Sequence, residues 1–346
     1  MPQVSVVILN WNGKDYLRSC LSSFRSVTQP SYEIIVVDNA STDGSVEMVR
    51  SLFPHVRLIA KKRNTGFAGG NNFGWKAAKG KYVLFLNNDT VVTPDFLTIL
   101  VIRAQKNLRV GCLQPEMRVM TDKKLLDAAG SYLTPTGFLF HYGYRKPHSL
   151  PQYKTAREIF SAKGACMLIP QKVLQKVGGF DEDFFIFFEE TDLCHRIWLA
   201  GYSVVYDPAA FIYHVAGGDT GNTYDRTSRI YLTFRNMNYS YIKNFGPLFL
   251  WTIYPVFLTF QLGLLGYFTV SGKWNLAAAM LRAYGWLGAR WTVILRKRHS
   301  VQRNLRNLGD RSLKSHVLYA PDWYYYYCLF FHADKYRDHR LPHYEI

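Results

Sequence analysis

The sequence predicts an α/β fold, a Rossmann-like doubly wound sheet, followed by a helical C-terminal region. Short β-branched runs alternate with longer amphipathic segments through the first half of the 346 residues. From residue 244 onward the chain is instead apolar and basic. With 48% apolar and 19% charged residues, it can bury one large core or two modest ones, which excludes disordered and collagen-like proteins.

The first half supplies the strands and crossover helices of the predicted sheet. We assign strands to residues 4–9, 33–37, 56–60 and 82–86, and helices to 16–27, 45–52, 70–78 and 94–107. In doubly wound sheets, ligands bind at the carboxyl ends of the strands. Polar residues stand just beyond the ends of the four predicted strands: Asn10, Asp38, Asn64 and the triplet Asn87-Asn88-Asp89.

The middle of the chain, about 111–224, is richer in loops. It contains strand-like pieces at 159–169 and 203–206 and a helix beginning within 185–200. Residues 244–272 carry no charge, and a stretch of this length is able to cross a bilayer. Both flanks are basic, so a single span would leave one cationic side facing outward. We therefore favour monotopic or hairpin attachment, with an amphipathic, interfacial segment at 274–295.

The net charge of +17 is concentrated in the C-terminal third. Residues 235–346 hold 15 Lys and Arg against 5 Asp and Glu, and no acidic residue lies between Asp225 and Asp310. One-sided charge of this kind indicates a polyanionic neighbour. Because lipid-like apolar sequence adjoins it and no DNA or RNA module is recognisable, we expect a membrane surface and no nucleic acid.

The cysteines and the N-terminus bear on the compartment. Five scattered cysteines without a C-x-x-C pair argue against a disulfide framework and a zinc site, and fit a reducing compartment. The apolar run at residues 4–9 has no basic residue before it and no cleavage-like pattern after it. We interpret that run as a strand and not as a signal peptide.

Two segments are candidates for binding a nucleotide. Asp38 either caps the turn that follows its strand or accepts a hydrogen bond from a nucleobase or a ribose. The glycine-rich residues 64–72 precede a helix, where backbone amides are able to approach a phosphate. The segment lacks both the G-x-G-x-x-G spacing and a Walker lysine, so hydride-transfer and P-loop enzymes are unsupported.

Two further segments are candidates for chemistry. Asp89 and its neighbouring amides either bind a divalent ion or form an Asx turn. His214 is either a second metal ligand or a structural histidine. Glu189, Glu190 and Asp192 follow the aromatic run 184–188. They either complement a helix dipole or provide a general base whose pKa the apolar surroundings raise.

The order and spacing of these segments resemble family 2 glycosyltransferases, particularly the bacterial rhamnosyltransferase-like branch. The stretches that carry the resemblance are 4–13, 34–45, 64–72, 87–89, 164–169 and 178–196. The resemblance covers residues 3 to about 240 and implies a glycosyltransferase-A (GT-A) fold. We therefore divide the chain into a catalytic domain, 1–235, and a basic, hydrophobic, membrane-associating helical region, 236–346.

The resemblance also implies roles for single residues. Asp38 contacts the nucleobase, while Asn10, Asn64, Gly66, Asn71, Asn87 and Asn88 line the nucleotide-sugar pocket. Residues 87–89 match the D-x-D motif with only its last acid retained, so Asp89, together with His214, holds Mg²⁺ or Mn²⁺. Glu190 takes the place of the usual catalytic Asp as the base, with Glu189 and Asp192 as rivals.

The reaction that the resemblance implies is a single inverting displacement. The donor is dTDP-rhamnose or a UDP-sugar, and the acceptor is a polyprenyl-linked or membrane-proximal glycan of the cell envelope. Such an enzyme works at the cytoplasmic face of the inner membrane, where nucleotide-sugars are made. Two other interpretations stay open: an inactive, membrane-bound relative that binds nucleotide or glycan, and a processive polysaccharide synthase.

Overall fold

The structure, a computed structural model, describes residues 1–215, 224–331 and 335–346. Its strands are β1 (Val4–Asn10), β2 (Tyr32–Asp38), β3 (Arg57–Ala60), β4 (Tyr82–Asn87), β5 (Thr90–Val92), β6 (Val110–Val119), β7 (Leu126–Ala128), β8 (Ser131–Leu133), β9 (Leu139–His141), β10 (Arg157–Glu158), β11 (Cys166–Pro170) and β12 (Ser203–His214). Its helices are α1 (Lys14–Ser23), α2 (Ser45–Leu52), α3 (Gly66–Ala77), α4 (Phe96–Lys106), α5 (Gln171–Val177), α6 (Glu189–Leu199), α7 (Arg226–Asn244), α8 (Pro247–Thr252), α9 (Tyr254–Val270), α10 (Trp274–Ala289), α11 (Trp291–Ser300), α12 (Asp310–Val317) and α13 (Trp323–Phe331).

Most of the strands form one mixed sheet in the order β10-β12-β6-β11-β4-β1-β2-β3. The strands β4, β1, β2 and β3 run parallel, and β11 lies between β4 and β6, antiparallel to both. The strands β5 and β7 pair with β12 and β6, while β8 and β9 form a separate hairpin. The predicted α/β fold is confirmed, although β11 makes the sheet mixed in its centre.

The parallel strands end at one edge of the sheet because their apolar runs are in register. Asn10 at the end of β1 pairs with Asp38 at the end of β2, and Leu9 pairs with Asn87 of β4. The four predicted strands match β1–β4 to within one or two residues at each end. This edge therefore collects the polar residues that follow the strands.

Helix α3 begins at Gly66, four residues earlier than predicted. Its glycines allow close packing on β1, since a Cβ at Gly70 would lie 2.3 Å from Leu9 Cδ1 and one at Gly74 would lie 2.2 Å from Val7 Cγ1. Residues 66–72 of the glycine-rich segment 64–72 therefore belong to the helix and not to a loop before it. Asn64 and Thr65 precede the helix, where both contact Asn39, the residue that follows β2.

Two predicted strands also differ from those observed. The piece predicted at 159–169 is a strand only from Cys166, and the loop before it carries Lys163 toward β7. The piece predicted at 203–206 continues through a register shift to His214. The strand β12 thus delivers His214 to the same side of the sheet as Asp89, whose neighbour Thr90 pairs with it.

The C-terminal helices pack on the α/β unit and on one another. Helix α7 runs across the predicted domain boundary at 235/236, and α9 and α10 are joined by a turn in which Gly272 has a φ of +70°. The helical stretch Pro247–Val270, which comprises α8 and α9, is long and apolar enough to cross a membrane by length and composition. Only 22% of its most apolar window is buried.

Part of the C-terminal positive charge is internal. Lys243 is 2% exposed and lies 2.6 Å from Asp181, and Lys297 also contacts Asp181 at 2.6 Å. The guanidinium of Arg298 donates to two backbone carbonyls, those of Ile242 and Phe245. Lys243 and Lys297 join the C-terminal helices to Asp181, and Arg298 joins α11 to the C-terminal end of α7. The sequence led us to expect these cations at a polyanion-binding surface, but all three make contacts within the protein.

Candidate active site

A chain of hydrogen bonds joins the ends of β1, β2 and β4. The amide of Asn10 donates to Asp38 Oδ2 at 3.0 Å and accepts from the amide of Asn88 at 2.8 Å. The other oxygen of Asp38 accepts from the backbone N–H of Ser41. Asp38, Asn10 and Asn88 are all buried, so three of the predicted nucleotide-binding residues form one pre-ordered group.

Asn39, which follows Asp38, organises a second set of hydrogen bonds next to that of Asp38. The sequence interpretation missed this residue. Asn39 donates to Asn64 Oδ1 at 2.9 Å and accepts from the backbone and hydroxyl of Thr65. Asn64 in turn accepts from the Gly66 N–H at 2.8 Å, which orders the start of α3. Asn39 could have been found as the second polar residue after β2, adjacent to Asp38.

The remaining two nucleotide-site predictions, Asn71 and Asn87, lie in different surroundings. Asn71 is buried within α3 and donates to the carbonyl of Phe67 at 3.0 Å. Asn87 ends β4 and is partly exposed at the strand edge. Of the two, Asn87 has the more accessible side chain.

Asp89 and His214 meet, and two further residues complete their surroundings. His214 Nε2 lies 3.2 Å from Asp89 Oδ1, and His214 Nδ1 lies 2.8 Å from Asp127 Oδ2. Lys163 donates to the same oxygen of Asp127 at 2.6 Å. Burial opposes a charged histidine, but Asp127 and Asp89 raise the pKa of His214 to about 9. Burial likewise opposes a charged Asp127, but Lys163 and His214 hold its pKa well below its usual range.

Asp127 and Lys163 were missed because nothing local in the sequence connects them with the site. Asp127 is a lone acid among apolar residues, and Lys163 comes just before the stretch 164–169 that carries the family resemblance. The sequence that carries the family resemblance around His214 is Tyr213-His214-Val215-Ala216-Gly217-Gly218, of which residues 216–218 lie outside the described residues.

The cluster fits a divalent cation that is completed by substrate oxygens. Among the described residues, Oδ1 of Asp127 is buried without a hydrogen-bond partner, and Oδ1 of Asp89 is buried with no hydrogen bond of good geometry, although His214 Nε2 lies 3.2 Å from it. The same ranges contain no group of three or more His, Cys, Asp or Glu side chains arranged to hold a metal ion. Asp89 and His214, the latter after losing the proton from Nε2, would be two protein ligands, and Mg²⁺ commonly takes its others from water and phosphate. Asp127 would orient His214 through Nδ1.

The acidic segment begins helix α6. Glu189 is 4% exposed and Glu190 is partly buried, and the two carboxylates are adjacent. Burial raises the pKa of Glu190, and burial together with the neighbouring Glu190 charge raises the pKa of Glu189 further. Thr191 donates to Glu190 Oε1 at 3.3 Å. A carboxylate with a raised pKa at a cavity wall suits a general base.

Asp192 lies in a different environment from the two glutamates. It is fully buried and is contacted by Arg196 Nε at 2.8 Å, Lys243 Nζ at 2.9 Å, Asn244 Nδ2 at 2.7 Å and Ser240 Oγ at 3.1 Å. These contacts occupy both of its oxygens and join α6 to α7. They favour a structural part for Asp192, and we do not assign it the proton transfer.

The loop before α6 is strained and is held by α7. Phe185, Phe187 and Phe188 have φ values of +66°, +69° and +72°, each of which costs about 1–3 kcal/mol in a non-glycine residue. Asn236 donates to the carbonyls of Ile186 and Phe187, and Arg235 donates to that of Phe184. Arg235 and Asn236, which the sequence interpretation did not single out, therefore support the start of α6.

One cavity of about 370 Å³ joins the catalytic candidates. Its lining includes Glu190, Thr191, Asp127 and Lys163. Asp127 contacts His214, which lies beside Asp89, so a chain of contacts connects the cavity lining with the two candidate metal ligands. The arrangement can accommodate a reaction between one ligand in the cavity and another at the strand ends.

Comparison with known proteins begins with the family. The sequence model described as Glycosyl transferase family 2 matches residues 5–178. The N-acetylglucosaminyl-diphospho-decaprenol L-rhamnosyltransferase of Mycobacterium tuberculosis is 26% identical over 239 residues, which are 62% of this chain and 77% of that protein. The O-antigen biosynthesis protein RfbC of Myxococcus xanthus is 31% identical over 215 residues, which are 59% of this chain and 16% of RfbC.

A third relative, the uncharacterized protein y4gI of Sinorhizobium fredii, is 26% identical over 233 residues, 64% of this chain and 25% of that protein. The chain thus spans a quarter or less of the length of y4gI and RfbC.

Two solved structures share the fold. GalNAc-T7 with UDP, GalNAc and Mn²⁺ superposes with a TM-score of 0.56 at 18% identity, over 70% of this chain and 48% of GalNAc-T7. The mannosyltransferase PcManGT of Pyrobaculum calidifontis in complex with GDP-Man and Mn²⁺ gives 0.51 at 19% identity, over 88% of this chain and 84% of PcManGT. The predicted GT-A fold is confirmed. Because the family's sequence model covers half of its length, the chain belongs to glycosyl transferase family 2.

Proposed function

We propose that this chain is an inverting glycosyltransferase that moves a sugar from a nucleoside-diphosphate donor to a lipid-linked or membrane-proximal glycan. The observation that carries the proposal is the single cavity lined by Glu190, Lys163 and Asp127, with Asp127 joined through His214 to Asp89. Glu190 offers a base, Lys163 a positive charge, and Asp127 with His214 a carboxylate–histidine pair. These groups suit a sugar transfer, in which a proton is removed while a diphosphate departs.

The donor nucleotide is assigned to the strand edge. Asp38, held by Asn10, would accept a hydrogen bond from a base N–H or a ribose hydroxyl at this edge. Asn64 and Gly66 border the same edge at the start of α3, and Asn87 and Asn88 border it at the end of β4. The relative from M. tuberculosis is named for transfer of L-rhamnose, which supports dTDP-rhamnose as donor, with a UDP-sugar as the alternative.

Glu190 takes the proton in the proposed reaction. The acceptor hydroxyl oxygen forms a bond to the anomeric carbon, the bond from that carbon to the diphosphate oxygen breaks, and the hydroxyl proton passes to Glu190. Burial raises the pKa of Glu190 toward working pH, and a carboxylate with a higher pKa is a better proton acceptor. Attack and departure occur on opposite faces of the sugar, so the anomeric configuration inverts.

Mg²⁺ or Mn²⁺, held by Asp89 and His214, would neutralise charge on the departing diphosphate. Asp127 positions the His214 ring by accepting from Nδ1, and Lys163 balances the charge of Asp127 at 2.6 Å. Both structural neighbours are complexes that contain Mn²⁺, which supports the choice of a divalent ion.

A membrane-proximal acceptor is supported by the outer surface of the C-terminal helices. Large apolar side chains are exposed there, among them Trp251 at 82% and Val270 at 90%. Arg282, Arg290 and Arg296 are also exposed on α10 and α11 and at the turn between these helices. Apolar and aromatic side chains interspersed with cations are typical of an interfacial membrane surface.

We propose that residues 236–346 attach the enzyme to the cytoplasmic face of the inner membrane in a monotopic or hairpin manner. The turn at Gly272 between α9 and α10 supports this mode of attachment. The decaprenol-linked substrate in the name of the M. tuberculosis relative supports a polyprenyl-linked glycan as acceptor.

The test is transfer of labelled sugar into lipid. Membranes that contain the full chain are incubated with a panel of nucleotide-sugars and a lipid extract, in Mg²⁺, Mn²⁺ or EDTA. We expect one donor to label the lipid fraction, with loss of labelling in EDTA. Nucleotide binding without transfer to any lipid or water-soluble glycan would instead identify an inactive relative.

A further inference from the structure

We propose that the C-terminal helix α13 forms one wall of the acceptor site, with Tyr325 and Leu329 selecting which glycan enters beside Glu190. The inference rests on the proposed function and assigns a specificity role to a segment that lies outside the family match, which ends at residue 178. Both side chains line the same cavity of about 370 Å³ as Glu190.

Helix α13 is anchored on the catalytic unit by Tyr325. Its hydroxyl donates to the carbonyl of Leu139 at 2.7 Å and accepts from the backbone N–H of His141 at 3.1 Å. The ring centroid of Tyr325 lies 4.7 Å from that of Phe140, with an angle of 61° between the ring planes. The helix is therefore fixed against β9, and Tyr325 is 5% exposed. Two hydrogen bonds and one ring contact therefore fix the position of Tyr325 in the cavity wall.

The chemistry of the cavity matches one sugar ring. Its lining includes apolar and aromatic side chains: Leu139, Tyr142, Tyr325 and Leu329. The lining also carries hydroxyl, carboxylate and ammonium groups: Ser131, Ser161, Glu190, Thr191 and Lys163. A pyranose presents C–H groups on one face and hydroxyls at its rim, and the volume lies in the range of small-ligand sites. The occupant we assign is the terminal sugar of the acceptor glycan.

The spacing along α13 separates the cavity wall from the outer surface. Tyr325 and Leu329 are four residues apart and share one face of the helix. Tyr327 lies between them on the opposite side, where it is 46% exposed. Substitutions on the two faces should therefore have different consequences for acceptor binding.

The experiment compares acceptor and donor kinetics of the full chain in membranes, using the lipid extract and donor identified by the transfer assay. Leu329→Trp fills the cavity, and we expect the acceptor KM to rise about tenfold or more. The donor KM, and the slow hydrolysis of donor without acceptor, should match the wild type. Leu329→Ala removes the contact without adding bulk and should also raise the acceptor KM alone. Tyr327→Ala, the matched control on the other face, should leave both KM values unchanged.

The outcomes separate the inference from the proposed function. An unchanged acceptor KM in both Leu329 variants, with transfer intact, would overturn the role of α13 and leave the proposed function standing. An equal rise in donor and acceptor KM in both variants would show a general structural effect and also overturn it. Absence of transfer by the wild type from every donor would overturn the proposed function, and the inference with it.

Discussion

Replacing Asp192 by asparagine tests whether this residue holds the fold or carries out chemistry. The substitution keeps the size of the side chain but removes a buried charge that faces Arg196 at 2.8 Å and Lys243 at 2.9 Å. Removing one partner of a buried ion pair costs about 3–5 kcal/mol. In the variant, Arg196 still donates to the carbonyls of Val177 and Gly179, and Lys243 still pairs with Asp181. We therefore expect the free energy of unfolding to fall by about 3 kcal/mol, the lower end of that range.

The assay is thermal unfolding of the full chain by circular dichroism. At about 2 °C per kcal/mol for a large domain, Asp192→Asn should lower Tm by about 6 °C. Burial alone would raise the pKa of Asp192, but Lys243 and Arg196 lower it below 3.8. The stabilisation is therefore present above pH 3.8 and is lost as the pH falls through the folded-state pKa.

The matched control is Glu182→Gln in the segment before α6. Glu182 makes an exposed contact with Lys76 at 3.8 Å, and exposed ion pairs contribute about 0–1 kcal/mol to stability. The Tm of the Glu182→Gln variant should therefore differ from that of the wild type by no more than about 2 °C. Below the unfolding transition, Asp192→Asn should retain most of the sugar-transfer rate. A variant that melts like the wild type but has lost transfer would refute the structural role and make Asp192 the base.

Three other substitutions and one pH profile test the site. Glu190→Gln should lower the transfer rate about 10²–10⁴-fold with Tm unchanged, and a wild-type rate would move the base to Glu189. Because burial raises the Glu190 pKa and the base acts deprotonated, the pH–rate profile should fall on its acid side at a midpoint above 4.5. Asp38→Asn should raise the donor KM about tenfold in steady-state kinetics, with acceptor KM as the control. Asp127→Asn should raise the Mn²⁺ concentration for half-maximal rate about 10–100-fold, and an unchanged requirement would exclude its orienting role toward His214.

The strands and their polar ends could be predicted because their signals are local. Continuous apolar runs mark β1, β2 and β4 as strands buried on both faces, and Asn10, Asp38 and Asn88 follow them directly. The start of α3 could not be predicted in this way. Glycine is a poor helix former, and Gly70 and Gly74 belong to the helix only because they fit against Leu9 and Val7.

The parts of the site that were missed depend on contacts between distant residues. Asp127 and His214 are 87 positions apart and meet only because β7 and β12 both pair with β6. Lys297 was interpreted as part of a surface charge, although its partners Asp181 and Asp183 lie 116 and 114 positions earlier. Charge counting along a sequence does not reveal such pairs, because each acid and its base belong to different elements.

The most direct test of the proposed chemistry is the product formed by the wild type and by Glu190→Gln from one labelled nucleotide-sugar. Transfer is followed into the lipid fraction, and the anomeric configuration of the product is determined by NMR. We predict a product of inverted configuration from the wild type and at least a hundredfold slower formation by the variant. Equal rates from the two proteins, or a product that retains the donor configuration, would contradict an inverting transfer with Glu190 as its base.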